Sequence, residues 1–147
     1  GNDTSVSIPS TIGSDTVTAI GSGAFAGNTD IKSVYLPSSV TQIGQEAFAD
    51  CTSLTSVSLP SSLEHIGIGA FYGCTNLSSV SVPNGTKSIG DEAFADCTSL
   101  NTVTIPSSVT SISDDAFYGC DSLTIRCTEG SAAHEFAAEN NINFILI

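Results

Sequence analysis

Methionine and tryptophan are absent from the 147 residues, Lys and Arg together number 3 against 15 Asp and Glu, and His occurs twice. Each shortage excludes something. Three cations cannot neutralise a run of phosphates or grip an anionic bilayer, because both depend on clustered Lys and Arg. With a formal net charge of −12, nucleic-acid and membrane-surface binding are excluded as functions. No apolar run approaches the ~18 residues of a spanning helix, so direct membrane insertion is excluded too. The start lacks the basic, apolar, small-residue order of a signal peptide. Without an initiator Met the chain reads as a processed or excised piece, with Gly1 a cloning scar and any export signal already removed. Two histidines leave almost no material for a Ser-His-Asp or Cys-His set.

What is present suffices for a core. Hydrophobic residues make up 40% and charged residues 12%, a balance that disfavours disorder, and the length fits a single domain. Prolines fall at Pro37, Pro60, Pro83 and Pro106, a constant step of 23 (60−37, 83−60, 106−83). Phe25, Phe48, Phe71, Phe94 and Phe117 keep the same step, each behind an alanine. Ile20, Ile43, Ile66, Ile89 and Ile112 follow, as do Val34, Val57, Val80 and Val103. A fixed repeat of this length specifies a solenoid, here of five coils counted on phenylalanine.

Within a unit, Val57-Ser-Leu59-Pro60 alternates with period two, the mark of a short strand with one face inward. The proline ends it, since it cannot donate to the next rung. A turn follows, then Gly67 at a corner, expected to adopt an unusual backbone angle; Gly21, Gly44 and Gly90 repeat it and Ser113 breaks it. Ala70 to Cys74 has room for one helical or 3₁₀ turn. A single unit exposes its own apolar side, so only stacked neighbours supply the core. The fold class is therefore an α/β repeat solenoid with short parallel strands on a concave face, tight helical turns outside, and a C-terminal cap of helix and strand. Residues 1–147 form one domain: 1–31 an N-terminal edge repeat with a five-residue insertion near Gly13, 32–123 regular repeats, and 124–147 the cap. In the cap, Ser131 is placed to N-cap a short helix and Ile142 to Ile147 alternates as a closing strand.

Units also alternate in two types: Glu46 to Leu54 recurs letter for letter as Glu92 to Leu100, while Ala70 to Cys74 recurs as Ala116 to Cys120. The alternation points to a two-coil duplication.

Val57-x-Leu59-Pro60-Ser-Ser-Leu63-x-x-Ile66-Gly67-x-x-Ala70-Phe71-x-x-Cys74-x-x-Leu77 resembles the BspA-type leucine-rich repeat, and the resemblance covers nearly the whole chain. It implies a bacterial surface or secreted protein, an adhesion or interaction role toward host protein or other cells, and no catalytic residue.

Cys51, Cys74, Cys97 and Cys120 recur at the repeat step, with Cys127 after them. Zinc would need paired Cys-x-x-Cys spacing, which is missing; no metal or cofactor is implied. The periodic thiols are expected as small buried side chains, alongside the core phenylalanines. Parallel Cβ vectors on adjacent rungs do not suit a disulfide torsion, so all five should be free. Asp91-Glu92 and Asp114-Asp115 could bind calcium weakly or form a glycosidase pair, but read more simply as solvated acids. The outward strand positions are Ser33 and Tyr35, Ser56 and Ser58, Ser79 and Ser81, Thr102 and Thr104. They form the candidate interaction face for an extracellular protein or glycan, although Tyr35 alone is a residue type favoured at hot spots. Tyr72 and Tyr118 on the outer turns are a second surface. The rival to an interaction module is a structural spacer or stalk, and the exposed N-terminal edge at Val6 and Ile8 invites edge-to-edge self-association.

Overall fold

The computed structural model describes residues 4–147. In chain order the elements are β1 (Ser5–Ser7), β2 (Thr11–Ile12), β3 (Asp15–Thr16), β4 (Ala19–Ile20), β5 (Ser33–Tyr35), β6 (Gln42–Ile43), β7 (Ser56–Ser58), β8 (His65–Ile66), β9 (Ser79–Ser81), β10 (Ser88–Ile89), β11 (Thr102–Thr104), β12 (Ser111–Ile112), β13 (Thr124–Cys127), α1 (Ala132–Glu139) and β14 (Asn143–Leu146). The sequence step becomes the pairing register. Val34 lies opposite Val57, Val80 opposite Val103 and Ile43 opposite Ile66, all in parallel.

Two strand columns result. The corner column β4-β6-β8-β10-β12 is continuous, whereas the main column divides into β1-β5-β7 and β9-β11-β13-β14. Counting β13, the main column has six repeat rungs before the closing strand, one more than the phenylalanine count, because β13 is followed by α1 in place of an Ala-Phe turn. The four residues of β13, assigned to the cap on sequence grounds, continue the main column. The insertion near Gly13 is an antiparallel hairpin of β2 and β3. Gly13, at φ 63, supplies the left-handed residue its two-residue loop needs.

The outer segments are runs of i→i+3 turns with no helix. In the second coil Ala47, Ala49 and Cys51 N–H donate to the carbonyls of Gly44, Glu46 and Phe48, while Glu46, Phe48 and Asp50 N–H donate to Ile68, Ala70 and Tyr72 of the next coil. Alternate amides thus close the turn and stitch the stack. Left-handed residues at Glu46 (φ 54) and Asp50 (φ 56) make this possible, as the third position of a type II turn demands. Behind them the phenylalanine rings stack in a file, with centroids 5.2–5.3 Å apart from Phe25 to Phe117. Phe48, Phe71 and Phe94 are fully buried and Phe117 nearly so, while Phe25 at the open end is half-buried.

The corner glycines have a different reason from the one expected. Gly44, Gly67 and Gly90 do not have positive φ; a Cβ on Gly67 would lie 2.6 Å from Ile43 O, and one on Gly44 2.7 Å from Ile20 O. The requirement is close approach of successive backbones. Where Ser113 takes that position the last full coil loosens: Ile112 is only half-buried, and Glu92 N–H has no acceptor among the described residues where its equivalents Gly23, Glu46 and Gly69 donate to the next coil.

The alternation of unit types also acquires a steric cause. A Cβ on Gly73 would overlap Asp50 Oδ1, and one on Gly119 would overlap Asp96 Oδ1. An aspartate in one coil, as its side chain stands, therefore favours glycine in the next.

Ser131 caps α1, its side chain accepting from His134 N–H. Asn141 (φ 55) ends the helix in a Schellman motif, with Ile142 N–H bonding Ala137 O and Asn141 N–H bonding Ala138 O. Phe136 closes the ring file, 6.0 Å from Phe117 and tilted 59°. β14 covers β13 but leaves its own Phe144, Ile145 and Leu146 exposed.

Candidate interaction face

Because inward Val34, Val57, Val80 and Val103 alternate with them, the eight outward residues of β5, β7, β9 and β11 all emerge on one face. Ser33 pairs with Ser56 and Tyr35 with Ser58; Ser79 pairs with Thr102 and Ser81 with Thr104. Two files of side chains are therefore set by backbone register and not by loop conformation. Tyr35 is 54% exposed, enough for its ring to meet a partner. The files run further than the sequence reading: Ser5 and Ser7 precede them on β1, and Thr124 and Arg126 follow on β13. Arg126 is exposed and, among the described residues, in no ion pair. It stands in the Tyr35 file, about 20 Å away at ~4.8 Å per rung. Treating residue 124 as the start of the cap concealed it, although Thr124-Ile125-Arg126-Cys127 has the period-two signature.

The strands carrying this face contain no Asp or Glu, while Glu46, Asp50, Asp91, Glu92, Asp96, Asp114 and Asp115 lie on the outer turns or their approaches. In a molecule of charge −12 the strands of the sheet face carry one cation and no acid, and the opposite side carries the repulsion.

Between β7 and β9 the face is interrupted. By the pattern elsewhere, in which Leu36 N–H donates to Ser58 O and Asn101 N–H to Ser78 O, Leu59 and Ser78 N–H would bond across. Neither has an acceptor among the described residues. Val57 is half-buried there, while its equivalents Val34, Val80 and Val103 are buried. The slot adjoins the coil that reads Pro83-Asn84-Gly85-Thr86 after its strand, with Gly85 at φ 101 and buried Thr86 donating its hydroxyl to Leu63 O at 2.8 Å.

The thiols make contacts that volume filling alone would not demand. Cys51, Cys74, Cys97 and Cys120 Sγ donate to the carbonyls of Phe25, Phe48, Phe71 and Phe94 at 3.0–3.2 Å. All five cysteines are buried free thiols. Burial pushes Cys51 and Cys120 up to about 11; Cys97 is raised by the neighbouring Cys74 thiol and by burial, and Cys127 by burial. These four are protonated, weak nucleophiles at neutral pH.

On the outer turns the Asp96 carboxylate beside Tyr72 raises the phenol above its ordinary value. Tyr118 is 69% exposed, and with Tyr72, Glu92, Asp96 and Asp115 it lines a shallow cleft. Asp91, Glu92, Asp114 and Asp115 are exposed, and among the described residues no group of three or more His, Cys, Asp or Glu could hold a metal. His65 Nδ1 lies 2.7 Å from Ser88 Oγ on the corner column; His134 Nδ1 accepts from Gly130 N–H and its ring meets Phe144 edge-on at 4.6 Å. Neither histidine's hydrogen bonds include a carboxylate.

A family model described as the BspA type leucine-rich repeat region matches residues 3–124 in 6 copies. No curated protein matches the chain. Among solved structures, a leucine-rich repeat protein of T. pallidum is 38% identical with a TM-score of 0.82, covering 86% of this chain and 59% of its own. One from Bacteroides ovatus is 39% identical, TM-score 0.75, covering 82% and 32%. A leucine-rich cell surface protein from Faecalibacterium prausnitzii is 27% identical, TM-score 0.54, covering 86% and 48%. The chain thus spans between a third and three fifths of the length of these relatives.

Proposed function

Because the chain belongs to the BspA-type leucine-rich repeat family, we propose that it is a non-enzymatic interaction module of a bacterial surface or secreted protein, binding an extracellular protein or glycan through the sheet face. The family and the cell-surface relative support a surface repeat module. The observation that carries the binding face is the pair of register-fixed hydroxyl files, free of acidic groups and carrying exposed Tyr35 and Arg126. Hydroxyls on a rigid lattice offer donors and acceptors to a polar partner with little ordering cost, and Tyr and Arg are the residue types that concentrate binding energy.

Arrays of glycans and extracellular proteins probed with the domain provide the test. Saturable binding that Ser56→Arg with Ser79→Arg abolishes supports the face. Saturable binding unchanged by that variant moves the site elsewhere, and no saturable binding at all favours the spacer reading.

A further inference from the structure

The outer-turn column ends abruptly. At the preceding interface Phe94 and Asp96 N–H donate to Ala116 and Tyr118 carbonyls. The equivalent amides of the last full coil, Phe117 and Gly119, have no acceptor among the described residues, nor does the Asp115 N–H beside them. Phe117 is only 5% exposed, and a backbone amide without a protein acceptor must be met by solvent or by a ligand. The column stops because α1 replaces the next turn, and the helix leaves a notch of about 360 Å³ lined by Phe117 and Gly119. Its other wall is Phe136 and the segment Asn140 to Asn143. Asp114, Asp115 and Asp121 also line the notch, and exposed Tyr118 stands beside them.

We propose that this notch is a docking site for an extended, basic polypeptide segment, distinct from the sheet face and independent of its role. The donors fall at alternate residues, which is the spacing of carbonyls along one edge of an extended chain, and the internal interfaces already satisfy the same donors with carbonyls two residues apart. Main-chain capture of this kind supplies affinity. The carboxylates then select Lys or Arg side chains on the incoming segment. The same carboxylates exclude a second copy of this protein. Its turn carbonyls at Ser22, Ala24 and Ala26 have no donor among the described residues and have the right spacing, but its net charge of −12 opposes approach.

The test is an amide-resolved NMR titration of the whole domain with a capped octapeptide of alternating Lys and Ser, and with its Glu-for-Lys counterpart. Saturable shifts at Phe117 and Gly119 amides with the Lys peptide, slowed hydrogen exchange at both, and no response to the Glu peptide support the site. Asp114→Asn with Asp121→Asn, both exposed and remote from the core, should weaken that binding by roughly three- to tenfold, the scale of two exposed ion pairs. Shifts confined to the acidic side chains' own residues, with both amides unmoved, would reduce the effect to diffuse charge attraction and overturn the proposal. So would the absence of saturation, or amide shifts that follow protein concentration alone together with a dimer in sedimentation, which would make the occupant a second copy.

Discussion

The main strand column and the outer-turn column run side by side through the same coils, yet one is interrupted and the other is not. Between the third and fourth coils the strands lose their ladder, while Gly69, Phe71 and Gly73 N–H still reach Asp91, Ala93 and Ala95 carbonyls. The turn column bridges the gap although it contains no regular secondary structure, and the corner strands β8 and β10 stay paired beside it. Cohesion across that interface therefore resides in turn amides, the ring file behind them and the corner strands, and the main strands are lattice positions that the stack can leave unpaired.

The largest test of that difference sets one ring against one valine. Phe71→Ala, between Phe48 and Phe94 in the buried file, should cost about 3–5 kcal/mol. Val57→Ala, half-buried at the slot, should cost about 1 kcal/mol. Urea midpoints decide, and equal losses would return the main role to the strands. Next, Gly67→Ala places a methyl against Ile43 O and the Gly44 backbone. Separating two coils there should cost about 1–3 kcal/mol and broaden amide signals of both neighbours.

A third comparison addresses the two unit types. Gly73→Ala strains a left-handed residue and strikes Asp50, at a cost of about 1–3 kcal/mol. Adding Asp50→Gly should return at least 0.5 kcal/mol of it if the two positions are coupled, the usual size for residues in contact. Strict additivity would leave the alternation without its steric cause. A fourth test is the alkaline effect. Since Cys51 and Cys120 are raised to about 11 in the fold, the unfolded chain loses those protons first. Their contribution is complete below the ordinary thiol range near 8.5 and declines as pH climbs toward 11. Denaturation midpoints should therefore fall over pH 9–11, and Cys51→Ala with Cys120→Ala should flatten that decline. The smallest change concerns exchange alone. Leu59 and Ser78 amides should exchange well ahead of Leu36 and Asn101, their bonded counterparts at neighbouring interfaces.

How far the sequence could be read divides along the same line. Register, inward valines and the phenylalanine file follow from a strict step, because a period that repeats in sequence must repeat in space. The corner glycines were visible but their reason was not. Close approach depends on the distance to the coil before, and no single unit encodes that distance. Arg126 escaped because loss of the Ala-Phe signature after Leu123 suggested a cap where the strand rhythm persists for four more residues. The slot between β7 and β9 had only a faint marker, Asn84-Gly85 in place of Ser-Ser. The notch had none, since it arises from what α1 fails to cover.

In the turn column the amides that link coils all face toward the carboxyl-terminal end and their carbonyls all face back. The stack is thus directional, like a chain of plugs and sockets. Each coil carries both halves of its own coupling, so a duplicated unit can be spliced into such an array without altering the joints on either side. Lengthening by gene duplication is for this architecture nearly free of compensating substitutions, provided that aspartate-bearing and glycine-bearing units are copied together as a pair.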